Sequence, residues 1–295
     1  MNKIDLIIEN GLILPINPQN QIIKNGFIVI NKNKIIQIGS KKPTKYFSDN
    51  TIDANGGIIM PGLINAHTHI AMTYFRGLAD DLALDKWLQE YIWPAESKYL
   101  NKDFVYQSSI HGCAELIRNG TTYFNDMYFW GNEIAQAAIK TGIKTTIGEG
   151  ILNQPIGENK TPKDIINYVL NLIEKYKNNS DIDFSIAPHS IFTCSKDTLK
   201  LSANIAQKHN LPIHIHLSET KKEIDDCIKN YNKLPLEYLK ECGILDNKVV
   251  AAHGTFLTDK ELKLVSNNDF HVAVNTNCNL KLASGHTPIN LFIKN

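Results

Sequence analysis

Cysteine is scarce and never paired in this sequence. The five residues, Cys113, Cys194, Cys227, Cys242 and Cys278, are odd in number, far apart and form no C-x-x-C. That excludes a disulfide framework or a clustered thiolate site and points to reduced thiols in a cytoplasm. Long apolar runs are also missing: none is continuous enough to span a bilayer. The opening "MNKIDLIIENGLILPINPQ" lacks the apolar core and small-residue cleavage site of a signal peptide. Charge of neither sign accumulates, with 31 Lys and Arg against 30 Asp and Glu and a net charge of +1. No basic stripe suggests nucleic acid, no membrane partner is indicated, and no charged block suggests a disordered tail.

What is present is an ordinary globular composition, 295 residues with 43% hydrophobic and 21% charged. Two patterns divide it. Residues 1–57 hold short Ile-rich runs separated by Asn-Gly and Asn-Lys-Asn turns, which reads as β structure. From residue 58 to 295, apolar runs alternate with helical stretches. The strand candidates are "GGIIMPGLINAH", "TTYFNDM", "IKTTIGEGIL", "DFSIAPHS", "LPIHIHLSE", "VVAAHGTF" and "FHVAVNT". Among the helices, Asp103 is expected to cap "FVYQSSIHGCAELIRN". Thr161 and Thr258 are expected to open two more, Asp164 completing a capping-box spacing. Seven strands alternating with helices is the rhythm of an α/β fold of the TIM-type (β/α)8 barrel class lacking its last unit. A doubly wound sheet is the alternative, but no Gly-rich phosphate loop follows its first strand.

Catalytic groups of such barrels sit at the C-terminal ends of the strands. Six of the ten histidines fall there: His67, His69, His189, His214, His216 and His253. The period of two puts His67 and His69 on one side of their strand, within reach of one ion. His216 would complete a three-nitrogen site suited to Zn2+ or another borderline divalent metal. Such a site with an open position lowers the pKa of water. Glu219, three residues past His216, is placed to shuttle a proton to a substrate nitrogen.

Blander readings stand beside these. A lone His-x-His is more often structural than ligating, although the other strand-end histidines favour metal. His214 reads as a residue that packs against or orients a ligand. His111, His209, His271 (placed before strand seven) and His286 carry no assigned role. Trp87 reads as core, with a stacking role open, and Glu96 alone would be a solvated acid.

"MPGLINAHTHIAM", "FRGLADDLALDKWLQEYIWPAE", "APHS", "IHIHLSET", "AAHGTFL" and "NLKLASGHTPI" occur in the order of the amidohydrolase superfamily. The whole chain resembles that superfamily's 5-methylthioadenosine/S-adenosylhomocysteine deaminase branch. The resemblance implies a metallo-hydrolase barrel with one divalent ion, Zn2+ by preference, on His67, His69 and His216. It implies Glu219 as proton shuttle, His253 beside the attacking water, Glu96 on the ribose hydroxyls and His189 on the adenine. No lysine ends strand four to bridge two metals, in keeping with one ion. The implied reaction is hydrolytic deamination of an adenosine-type nucleoside to the inosine analogue and ammonia. Other aminohydrolases or chlorohydrolases of the branch, acting on guanine, cytosine, pterin or triazine, remain alternatives. The N-terminal strands would form half of a small β-sandwich, and an oligomer is left open.

Two departures qualify the resemblance. Glu149 precedes Gly150 at the end of strand three, where relatives that bind the carboxylate of S-adenosylhomocysteine often carry arginine. Like-charge repulsion there, unless Lys160 compensates, ranks methylthioadenosine or a plain adenosine above S-adenosylhomocysteine. The text also stops at "HTPINLFIKN", before the aspartate that the resemblance places at the end of strand eight as a further ligand. The lead into "NLKL" is "NTNC", where relatives usually have a His or Pro. The expectation is a truncated product, poorly soluble if made alone, weak in metal retention and low in activity, or a non-catalytic remnant.

Overall fold

The computed structural model describes residues 1–19, 21–41, 44–154, 158, 161–266 and 269–294. The chain divides into two compact units, Met1–Leu63 and Ile64–Asn295. In the first, β1 (Asn2–Lys3) pairs with β5 (Tyr46–Phe47), and a second sheet runs β4 (Lys34–Gly39), β3 (Ile23–Asn31), β2 (Leu6–Ile13), β6 (Thr51–Asp53). A further strand, β7 (Ile58–Ile59), also pairs with β2. The β3–β4 hairpin turns on Lys32 and Asn33, both at positive φ (49° and 61°). This two-residue connection has a twist matched to antiparallel strands. Ile4, Ile7, Phe27 and Val29 form the unit's small core.

The second unit is a TIM-type barrel sheet of seven strands. They run in sequence order from β8 (Leu63–Thr68) and β9 (Thr121–Tyr128) through β10 (Lys144–Ile151) and β11 (Ile182–Pro188). The order continues with β12 (Ile213–Leu217), β13 (Val249–His253) and β14 (Phe270–Ala273). The pairings from β9 to β14 are parallel. All seven strands expected from the sequence are present. Alternation decides what each strand buries. Ile147 and Ile151 on β10 and Ile213, Ile215 and Leu217 on β12 are at most 1% exposed and belong to the main apolar cluster with helix residues such as Ile134, Val169 and Leu199. Each contributes roughly 1.5–3 kcal/mol by leaving water. The intervening residues face the barrel interior, where space is short. A Cβ on Gly148 would come within 2.6 Å of the Ala187 Cβ and 2.9 Å of the Ser185 Oγ.

The helix ends follow capping chemistry, with one correction. Thr161 and Thr258 cap their helices as expected. The helix Lys102–Arg118, however, is capped by Asn101, whose side chain accepts the Phe104 N–H at 2.9 Å, and Asp103 lies inside the first turn. Both residue types cap well, and the extended backbone of Asn101 settles it. His271 lies within β14 rather than before it and is exposed, bonded to Asp269 at 2.8 Å. No helix among the described residues is long and apolar enough to cross a membrane.

Candidate active site

At the C-terminal ends of the strands the histidines converge, and their hydrogen bonds fix which nitrogen of each ring is left over. His69 Nδ1 donates to the Met127 carbonyl at 2.5 Å, and His216 Nδ1 donates to the His189 carbonyl at 2.8 Å. Burial pushes the pKa of both rings below the usual histidine value, so both are neutral. Neither Nε2 then carries a proton, yet the two Nε2 atoms stand 3.2 Å apart. Two lone pairs held that close repel unless a cation sits between or beside them. His67 joins them with Nδ1 2.8 Å from His214 Nε2. Burial and then the neighbouring imidazoles hold the His67 pKa well below normal. Nitrogens of His67, His216 and His253 lie within 4.8 Å of one another. This is a donor set of neutral imidazoles with their second nitrogens pinned, the arrangement that suits a divalent ion.

The ring positions are built into the neighbouring backbone. Asp126, fully buried on β9, accepts the Ile70 N–H at 2.6 Å, while the next residue, Met127, takes His69 Nδ1. One dipeptide thus holds the turn that carries His69 from two sides. Burial pushes Asp126 up to about 8, against the bond from Ile70. Across the sheet, Glu223 accepts the Ser218 and Glu219 N–H groups, each at 2.8 Å. Ser218 has φ 52°, in the left-handed region that a non-glycine residue adopts only when its surroundings impose it. The Glu223 carboxylate thereby fixes the direction of Glu219.

His253 is held in a similar way. Its φ is 75°, and its Nδ1 donates to Asn279 Oδ1 at 2.8 Å. The Asn279 amide donates to Thr287 Oγ1 at 3.2 Å, and that hydroxyl donates to the His253 carbonyl at 3.0 Å, closing a ring. His253 Nε2 is left facing Glu219 Oε2 at 3.6 Å. Burial, and secondarily repulsion from Glu223, raises Glu219 to about 8, while burial lowers His253 to about 4. The pair is therefore a protonated acid beside a neutral base.

His67, His69, Glu96, His189, His216, Glu219 and His253 all line one cavity of about 400 Å3, together with Trp87 and Phe192. Glu96 is 5% exposed and not the solvated acid its isolated sequence suggests. It accepts the Tyr128 hydroxyl at 2.6 Å, and burial raises it to about 7. His189 Nδ1 contacts Thr193 Oγ1 at 3.1 Å, which directs its other nitrogen elsewhere. Trp87 donates to the Ala79 carbonyl at 3.2 Å, fixing its ring in the wall. A wider cavity of about 1150 Å3 shares Trp93, Glu96, Leu152 and Phe192 with the first.

Glu149 requires a correction. It is buried, lines neither cavity, and accepts the Trp130 and Gly131 N–H groups at 2.9 and 2.7 Å, at the start of helix Gly131–Thr141. Strand alternation turns it outward, so it repels no substrate carboxylate and the ranking of substrates drawn from it has no basis. Lys160 lies outside the described residues. Asp126, Glu223 and Asn279 are supporting residues that the sequence reading missed. Thr220-x-x-Glu223 has capping-box spacing, a signal that was available, and the carboxylate reaches the Ser218 and Glu219 N–H groups as well as the Thr220 backbone.

The Amidohydrolase family pattern matches residues 58–295. A 5-methylthioadenosine/S-adenosylhomocysteine deaminase of Thermodesulfovibrio yellowstonii is 42% identical over 98% of this chain and 66% of its own length. A 5'-deoxyadenosine deaminase of Methanocaldococcus jannaschii is 43% identical over 91% of this chain and 66% of its own. This chain thus spans slightly less than two thirds of these relatives. A crystal structure of an adenosine deaminase from Xanthomonas campestris with bound zinc superposes with a TM-score of 0.94 at 30% identity, covering 99% of this chain and 67% of that one.

Proposed function

The chain belongs to the amidohydrolase family, and we propose that it carries the metal-binding and proton-transfer groups of a hydrolytic deaminase of adenosine-type nucleosides. The observation that carries this reading is the approach of His69 Nε2 to His216 Nε2 at 3.2 Å with both Nδ1 positions donating to carbonyls. His67, His69 and His216 would hold the ion, with zinc favoured by the all-imidazole donor set and by the zinc in the similar adenosine deaminase. When bound, such an ion supplies Lewis acidity and lowers the pKa of water.

The remaining groups divide the work of replacing an amino group by oxygen. Glu219 gives its proton to the purine ring nitrogen beside C6 as water adds there. His253 Nε2 accepts a hydrogen bond from that water, its orientation fixed by Asn279. One proton of the water restores the one Glu219 gave to the ring, the other passes to the amino group, which leaves as ammonia, and the inosine-type product remains. His189 hydrogen-bonds the adenine edge and Glu96, anchored by Tyr128, accepts from the ribose hydroxyls. Trp87 and Phe192 supply apolar wall. The names of the relatives favour 5'-deoxyadenosine, 5'-methylthioadenosine and S-adenosylhomocysteine as substrates.

The test is the ultraviolet change from adenine to hypoxanthine, with ammonia release, for the protein carrying this sequence loaded with one equivalent of Zn2+. Turnover of at least one of these nucleosides, and none of guanine, cytosine or a triazine, is expected. Turnover of guanine alone, or none with the ion bound, would refute the assignment.

A further inference from the structure

Cys278 is the one cysteine of the five that is exposed; Cys113, Cys194, Cys227 and Cys242 are buried. It lines the cavity that holds the histidines. One oxygen of Glu219, one ring nitrogen of His253 and the Cys278 sulfur lie within 4.8 Å of one another. Because His253 Nδ1 is committed to Asn279, the nitrogen offered to this group is Nε2. Asn279 is the neighbour of Cys278 in the helix Thr276–Lys281, so the residue that orients the imidazole also fixes the backbone beside the thiol. Glu219 and His253 are at most 6% exposed at their side chains and face each other at 3.6 Å.

We propose that Glu219, His253 and Cys278 form a second cation site, selective for thiophilic divalent ions, beside the three-histidine site. One sulfur, one nitrogen and one oxygen suit Zn2+ and, with the soft thiolate, Cd2+. Bond lengths of about 2.0–2.3 Å place ligand atoms roughly 3.3–3.7 Å apart around one ion, and rotation of the exposed Cys278 side chain closes the remaining gap. Binding forms metal bonds to Sγ, Nε2 and a carboxylate oxygen, and the protons of the thiol and of Glu219 both go to solvent. An ion there occupies the proton donor Glu219 and the His253 nitrogen that orients the water, so it inhibits. The inference rests on the three-histidine reading only in that those residues take the first ion.

The experiment loads the protein with one equivalent of Zn2+ and then titrates Cd2+. It follows total metal by mass spectrometry, the thiolate-to-cadmium absorption in the ultraviolet, and alkylation of Cys278 by iodoacetamide. A second equivalent, the absorption and protection of Cys278 from alkylation are expected. Cys278→Ser, with Cys278→Ala as a second variant, should keep the first ion, lose the absorption and bind the second at least 10-fold more weakly. A second ion bound equally well by both variants, or no second ion in the unaltered protein, overturns the proposal and leaves the histidine reading intact. Failure to retain any ion overturns both.

Discussion

Among the described residues of the unit Met1–Leu63 the buried side chains are Ile4, Ile7, Ile13, Phe27, Ile28 and Val29, all hydrocarbon. In the unit Ile64–Asn295 the buried residues include Glu96, Asp126, Glu149, His214, His216, Glu219, Glu223, His253 and Glu261. Burying an ionisable group costs several kcal/mol unless it is hydrogen-bonded or neutralised, so such a concentration needs a local reason. The reasons differ within the second unit. Asp126, Glu149 and Glu223 hold backbone N–H groups. Glu219 faces the cavity with His253 as its partner, and Glu96 faces it bonded to Tyr128. Burial and a raised pKa are common to all five. What separates a proton-transfer group from a brace is therefore the partner at the carboxylate oxygens, not the shift.

The contrast can be broken most severely at the histidines. His216→Ala should weaken metal binding by on the order of 100-fold or more and abolish turnover, as read by metal analysis after dialysis. Glu219→Gln should keep the metal but slow turnover about 100- to 10,000-fold; loss of metal as well would place Glu219 among the ligands. Glu149→Ala leaves two buried N–H groups unpaired and should destabilise the second unit by about 2–4 kcal/mol. Urea titration followed by hydrogen exchange would report this, with the proposed metal ligands unaltered.

The pH dependence of stability sharpens the same comparison. In the unfolded chain a glutamate titrates near 4.5, whereas folded Glu149 titrates at about 7. Between these values the folded state binds the extra proton, so its stability falls as pH rises through the window. Hydrogen exchange in the second unit, compared between the unaltered protein and Glu149→Gln after correction for intrinsic rates, should therefore show the unaltered protein losing more of its protection than the variant between pH 5.5 and pH 7.5. Exchange in the first unit should show no such trend. The smallest effect is expected there: Ile7→Val should cost about 0.5–1.5 kcal/mol by loss of a buried methylene, without altering metal content.

Much of this was legible because each signal was local. The seven strands are continuous apolar runs, and the histidines that end them fall on one rim by the geometry of parallel strands. The hydrogen-bond partners were not legible, since they join residues distant in sequence, as Asp126 joins Ile70 and Asn279 joins His253. Glu149 misled for the opposite reason. Its neighbour Gly150 lines the cavity, and a shift of one residue along a strand reverses the face. Asp103 and Asn101 are both good caps, so only the backbone conformation could separate them.

The most direct test of the central assignment is anomalous diffraction at the zinc edge from crystals grown with Zn2+. A strong peak within bonding distance of Nε2 of both His69 and His216, with His67 completing the set, is the predicted result. A peak elsewhere, with those two nitrogens still 3.2 Å apart and nothing between or beside them, would contradict it.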